Sequence, residues 1–157
     1  MPHLYEDKSW RKVERPTMTV QLVIGGQYGS EGKGAFIWWL TDPDRMGPCV
    51  VVRTGGPNAG HSVLHNGEHL KMQQLPCAWH NPKATLCLGP GAILDLDVLR
   101  REMALVQART GPLLGRLWID PNVAIVSQSH RDAEAQIVRG IGSTGKGVGA
   151  ATADRVM

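Results

Sequence analysis

The chain holds no apolar run approaching the roughly 20 residues that a membrane span requires, and its N-terminus lacks the apolar core of a secretory signal. A cytoplasmic protein with no membrane partner is therefore expected. Cysteine is scarce. Cys49, Cys77 and Cys87 form no CxxC pair and no Cys/His ligand spacing, so they are read as reduced and structural rather than as a metal site or a nucleophile. Blocks of like charge are missing too. The 17 basic and 14 acidic residues are interspersed, and the net charge of +3 implies no nucleic-acid surface, though it suits a protein that binds phosphorylated metabolites. No internal repeat and no long biased tract is present, and 157 residues with 42% hydrophobic content can bury one ordinary core.

What the chain does have is glycine, 19 residues of it, gathered into loops. Residues 25–34 read GGQYGSEGKG, entered from the apolar run Val20–Ile24 and left through Ala35–Leu40. Glycine lets successive backbone N–H groups converge on an anion, and the following helix offers its positive end. Lys33 adds a full positive charge. The segment is P-loop-like without being a P-loop: five residues rather than four separate Gly26 from Gly32, and Gly34 stands where Ser or Thr follows the lysine. A generic P-loop NTPase or GTPase-like switch is therefore a poor fit.

Periodicity and punctuation order the rest. Val20–Ile24 reads as a buried strand, Gly34–Leu40 as a helix broken by Asp42-Pro43-Asp44, and Cys49–Arg53 as a second apolar strand. Thr54–His61 is another glycine-rich loop. Ser62–Leu64 and His69–Met72 bracket Asn66-Gly67, a strong hairpin signal. Thr85–Leu88 reads as a strand ending in Gly89-Pro90-Gly91, and Asp97 to Arg109 as a helix capped by Asp95 or Asp97 and ended by Gly111-Pro112. Leu117–Ile119 and Val123–Val126 follow as short strands, then a helix from His130 to Val138 capped by Ser127 or Ser129, then a third glycine-rich loop at Gly140–Gly149. Alternating strands and helices, with glycine loops after strands, predict an α/β fold with a mostly parallel central sheet and ligands at one edge. Residues 1–17 are polar and aperiodic, read as a leader that is either disordered or a translation-start artefact ahead of Met18; residues 18–157 are read as part of one domain.

Three segments taken together, GGQYGSEGKG at 25–34, GGPNAGH at 55–61 and GIGSTGKGVG at 140–149, resemble the adenylosuccinate synthetase family in content and order, as does LGPGAILDLDVLRREM at 88–103. That resemblance implies a C–N ligase. A 6-oxopurine nucleotide is phosphorylated on O6 by GTP or ATP, with Mg²⁺ as cofactor, and the amine of L-aspartate then displaces the phosphate. The chemistry is coherent, since an amide-like oxygen leaves only once phosphorylated, and phosphoryl transfer needs a cation-lined cradle.

By the same resemblance Lys33, with Gly29, Ser30, Glu31, Gly32 and Gly34, holds the transferred phosphate, and Gly60 offers its carbonyl to Mg²⁺. His61 matches the family's catalytic histidine, able to donate a proton or hydrogen bond as charge builds. Asn58, Ala59, Ser143, Thr144 and Lys146 fall where the family contacts the 5′-phosphate of the purine monophosphate. Lys146 stands where bacterial members carry arginine, which keeps the charge and loses the planar fork. For Gln27 and Glu31, bracing of the loop weighs as much as ligand contact. His65, His69, His80 and His130 match no part of the family pattern and are read as structural or surface residues.

Ser30 is the departure. Ordinary members carry an aspartate there that draws the proton from N1 of the base and helps hold Mg²⁺. A serine hydroxyl can coordinate a metal but cannot serve as a base at neutral pH. Loss of the carboxylate makes room, or a neutral acceptor, for an exocyclic 2-amino group. The sequence is thus most similar to the phage and archaeal N6-succino-2-amino-2′-deoxyadenylate synthase branch, which condenses dGMP with aspartate. IMP remains the alternative substrate, and an inactive nucleotide-binding relative a second one. The family's chains are much longer, so this sequence is expected to be an N-terminal portion. Elements gripping aspartate, the base of ATP or GTP, and an arginine donated across a homodimer would lie beyond Met157. Alone, the chain is expected to be poorly soluble or inactive, because its sheet would expose an unpaired edge.

Overall fold

A computed structural model describes residues 19–27, 29, 31–137 and 144–157. Helix α1 (Lys33–Leu40) precedes strand β1 (Cys49–Arg53), the strands β2 (His61–His65) and β3 (Glu68–Met72), and β4 (Ala84–Leu88). Then come β5 (Ile93–Leu94), α2 (Leu96–Thr110), β6 (Leu117–Ile119), β7 (Ala124–Ile125), α3 (Gln128–Ile137) and α4 (Val148–Val156).

The parallel sheet has the order β1-β4-β6, with Val51 opposite Leu86 and Leu86 opposite Leu117. Strand β4 lies centrally and buries Ala84, Leu86 and Leu88 on one face, against Leu75, Trp79, Leu99 and Val106. Parallel register places Val50, Val52, Cys87 and Trp118 together on the opposite face. There Val50, Val52 and Trp118 are exposed. Strands β5 and β7 form a second parallel pair, packed through Ile93 and Val126 on Ala151 of α4. β2 and β3 form the expected hairpin, its turn made by Asn66 and Gly67 at positive φ, the conformation a two-residue hairpin loop needs.

Helix α2 follows from its caps. Asp95 accepts hydrogen bonds from the N–H of Asp97 (3.0 Å) and Val98 (3.1 Å), satisfying two N-terminal donors, and Gly111 at φ 81° ends the helix. Its buried face carries Val98, Leu99, Glu102 and Val106.

The structure departs from the sequence-based expectation in four places, one being that α3 begins at Gln128 rather than His130, which puts Ser129 inside the helix. Residues 19–25 form no strand, and Val20, Leu22 and Ile24 are 95%, 83% and 74% exposed. An apolar run becomes a strand only where a neighbour completes its ladder, and no described strand pairs with it. β5 is too short to be marked by alternation. The third glycine loop ends earlier than expected, because α4 begins at Val148. The three thiols are free, and burial raises all of them, Cys77 to about 12, in keeping with a structural role. No described helix is long and apolar enough to cross a membrane.

Candidate functional site

The glycine turn at 25–34 is organised around Glu31. One carboxylate oxygen accepts the N–H groups of Gly26 (2.6 Å) and Gln27 (2.8 Å), and the other is bonded to the Lys33 ammonium. Lys33, chiefly, and the Gln27 N–H hold the Glu31 carboxyl below its usual pKa. Lys33 is the first residue of α1, and no side chain caps that helix N-terminus. Two backbone N–H groups and the lysine that opens α1 thus surround one anionic position, and in this structure a carboxylate fills it. Ser30 lies outside the described residues.

His61, at the start of β2, meets this turn directly. A Cβ built on Gly34 would fall 2.5 Å from the Cβ of His61, so glycine is what allows α1 and β2 to approach this closely. Burial, with the positive charges of Arg53 and Lys33 nearby, pushes the His61 pKa down to about 4. The imidazole is therefore neutral at physiological pH, with one nitrogen able to donate and one to accept.

The 55–61 loop is fastened from below by two residues that sequence reasoning missed. Arg53, ending β1, donates to the carbonyls of Ala59 (2.7 Å) and Gln73 (2.6 Å), and Gln73 donates its side-chain amide to the Pro57 carbonyl (2.7 Å). Glu102 of α2 in turn accepts the N–H groups of Gln73 (2.5 Å), Gln74 (3.0 Å) and Leu75 (2.8 Å). Both charges carried a sequence signal. Arg53 closes an otherwise apolar strand, and Glu102 interrupts the Val98–Val106 stripe at helical spacing. Lys71, also unforeseen, lays its aliphatic chain over Gly60, where a Cβ would clash with it.

At its other end the loop meets the third glycine segment. Thr144 Oγ1 donates to Asn58 Oδ1 at 2.9 Å, and the backbone at Gly56 packs on Val148 of α4 and on Ile93. The turn 144–147 is itself held by the buried Glu134 of α3, whose carboxylate accepts the N–H groups of Gly147 and, at 3.1 Å, Gly149. Lys146 sits half-buried in that turn. Ser143 lies outside the described residues. So Lys33 and Gly34 meet the loop at its His61 end and Thr144 at its Asn58 end, with Ala59 and Gly60 between, and Lys146 stands two residues beyond Thr144.

The remaining described histidines make their contacts elsewhere. His80 stacks on Trp38 with ring centroids 3.6 Å apart, and His65 packs edge-on against Trp38 and Trp79. His69 is exposed on β3, and His130 joins α3 to Asp154 of α4 at 3.2 Å.

Parallel strands, a P-loop-like glycine turn opening a helix, and two further loops brought to the same place define an α/β protein whose glycine turn has the form of an anion cradle. The sequence profile of the adenylosuccinate synthetase family matches residues 22–157, and the chain belongs to that family. Adenylosuccinate synthetase of Methanococcus aeolicus is 37% identical over 144 residues, covering 89% of this chain and 42% of the relative. Among solved structures, cyanophage S-2L succinoaminodeoxyadenylate synthetase bound to dGMP and dATP is 32% identical with a TM-score of 0.68, covering 83% of this chain and 36% of that one. Fully ligated adenylosuccinate synthetase from Plasmodium falciparum is 27% identical with a TM-score of 0.70, covering 84% and 32%. The chain spans about two-fifths of the length of the curated relatives it matches.

Proposed function

We propose that these residues form the phosphoryl- and purine-monophosphate-binding portion of a C–N ligase that condenses dGMP with L-aspartate. ATP, dATP or GTP supplies the phosphoryl group and a 6-phosphoryl nucleotide is the intermediate. The product would be N6-succino-2-amino-2′-deoxyadenylate. The observation that carries this reading is the meeting of two glycine loops on a third, with Lys33 and His61 at one end and the Asn58–Thr144 pair at the other.

In this reading Lys33 and the backbone N–H groups of 29–34 receive the transferred phosphate, lowering the cost of charge on its oxygens. His61, neutral in this environment, donates a hydrogen bond to the oxygen that takes on charge during transfer. Asn58, Ala59, Ser143, Thr144 and Lys146 hold the 5′-phosphate, and O6 of the base is directed toward His61. O6 takes the phosphoryl group as N1 gives up its proton to water, and the nucleoside diphosphate departs with the electron pair of the broken P–O bond; the aspartate amine then attacks C6, loses a proton to water, and the O6-bound phosphate departs with the C–O electron pair.

Among the described residues no group of three or more His, Cys, Asp or Glu side chains could cage a metal. The donors expected here, the Gly60 carbonyl, the Ser30 hydroxyl and nucleotide phosphate oxygens, are hard oxygen ligands of the kind Mg²⁺ takes with its waters. Bound there, Mg²⁺ would neutralise phosphate charge. A homodimer and a cytoplasmic setting belong to the same proposal.

The choice of dGMP rests on Ser30, where a carboxylate would face the purine, and is supported by likeness to the phage enzyme bound to dGMP. A second reading, IMP as substrate with GTP, is favoured by the names of the curated relatives. The test uses the protein from the longest reading frame containing this sequence, given equal dGMP and IMP, aspartate, Mg²⁺ and mixed ATP and GTP. Mass spectrometry of the products decides: succinylated dGMP is expected. Succinylated IMP would establish the second reading, and nucleotide binding without phosphate release would leave a binding module.

A further inference from the structure

We infer that Glu31 is a built-in stand-in for the phosphoryl group, a carboxylate that holds the turn in its anion-binding shape and must leave before phosphate can enter. The inference rests on the phosphate-binding reading of that turn and adds to it the N–H groups of Gly26 and Gln27 as donors and a displacement step.

The geometry is that of an occupied anion site. Two consecutive N–H groups, from Gly26 and Gln27, converge on one Glu31 oxygen at 2.6 and 2.8 Å, and the Lys33 ammonium takes the other. Both oxygens of a phosphate edge would seek the same donors. Gly25 closes the enclosure, since a Cβ there would lie 2.4 Å from the Glu31 carboxylate and 2.7 Å from the Lys33 nitrogen. The backbone has thus been cleared of side chains where the carboxylate sits.

An incoming phosphate cannot share this position. Two like charges within hydrogen-bond distance of the same three groups repel strongly, and the N–H groups of Gly26 and Gln27 have one proton each to give. The ammonium and N–H groups would therefore pass from Glu31 to phosphate, with the carboxylate turning out to solvent. An empty cradle would otherwise leave converging N–H dipoles and a lysine facing one another. Glu31 relieves that repulsion, preorganising the turn at the cost of competing with the ligand.

The test titrates inorganic phosphate into the protein from the longest reading frame containing this sequence, followed by the amide resonances of Gly26 and Gln27 and by the side-chain carboxyl resonance of Glu31. In the unmodified protein the Glu31 carboxyl is expected to move to the position of free glutamate as phosphate saturates the turn. E31Q, near in shape but unable to pair with Lys33 as an anion, is expected to bind phosphate at least fivefold more tightly, and E31A likewise. K33M should abolish binding in either background. Equal or weaker phosphate binding by E31Q and E31A, with binding still dependent on Lys33, would overturn the inference and make Glu31 a brace. So would phosphate saturation that leaves the Glu31 carboxyl resonance unmoved. Absence of Lys33-dependent phosphate binding in every variant would overturn the phosphate-binding reading itself, and the inference with it.

Discussion

At the scale of single residues, charge and burial decide what each group can do. His61 and His80 both have pKa values near 4, burial being the main cause in each, against an ordinary value of 6.5. Between those limits the unfolded chain binds protons that the folded protein does not, so stability is greatest above pH 6.5 and falls as the pH drops toward 4. Urea unfolding at a series of pH values should report uptake of about two protons near the middle of this window, and about one in H80Q. An unchanged slope in H80Q would show that His80 titrates normally. Lys33 and His61 were legible in the sequence because each sits in a short glycine pattern whose chemistry is local. Arg53 and Glu102 were not assigned, because their roles arise only when a strand end, a loop and a helix pack together.

At the scale of elements, periodicity and caps gave boundaries close to those observed. β1 spans the residues expected, β6 likewise, and α2 starts one residue after its Asp95 cap. Asp95 also ties α2 to α3, since its second oxygen accepts from Arg131 at 3.0 Å. Burial would raise its pKa, but the Val98 N–H, Arg131 and the Asp97 N–H more than offset this and hold the carboxyl below its ordinary value. D95A, which loses both the cap and the ion pair, should cost about 1–2 kcal/mol. D95N keeps a capping oxygen and loses only the charge, and should cost about 0.5 kcal/mol. Denaturant midpoints at neutral pH check both; equal losses would mean that the pairing with Arg131, not the cap, dominates. The element that sequence reading overstated was Val20–Ile24, whose pattern is that of a strand but whose ladder has no described partner.

At the scale of the whole molecule, the parallel sheet buries one face and exposes the other. Parallel sheets are normally covered on both sides, and here Val50, Val52 and Trp118 face outward together, while Val20, Leu22 and Ile24 are also bare. The 157-residue chain on its own is expected to self-associate at micromolar concentration, and V50K/V52K to lower its light scattering, since charge on an edge strand opposes edge and face pairing. A monomer that unfolds cooperatively without these substitutions would contradict that expectation. The sequence alone determined the family, the α/β order of elements and the three glycine loops, because backbone conformation, periodicity and phosphate chemistry are encoded over a few residues. Only the tertiary structure decided that the loops meet, joining Asn58 to Thr144 across 86 positions, and that Glu102 anchors a segment 27 to 29 residues away. It also decided that Glu31 fills the cradle which Lys33 helps to form. Such contacts follow from packing, which brings distant side chains within hydrogen-bond reach of backbone groups that no local pattern records.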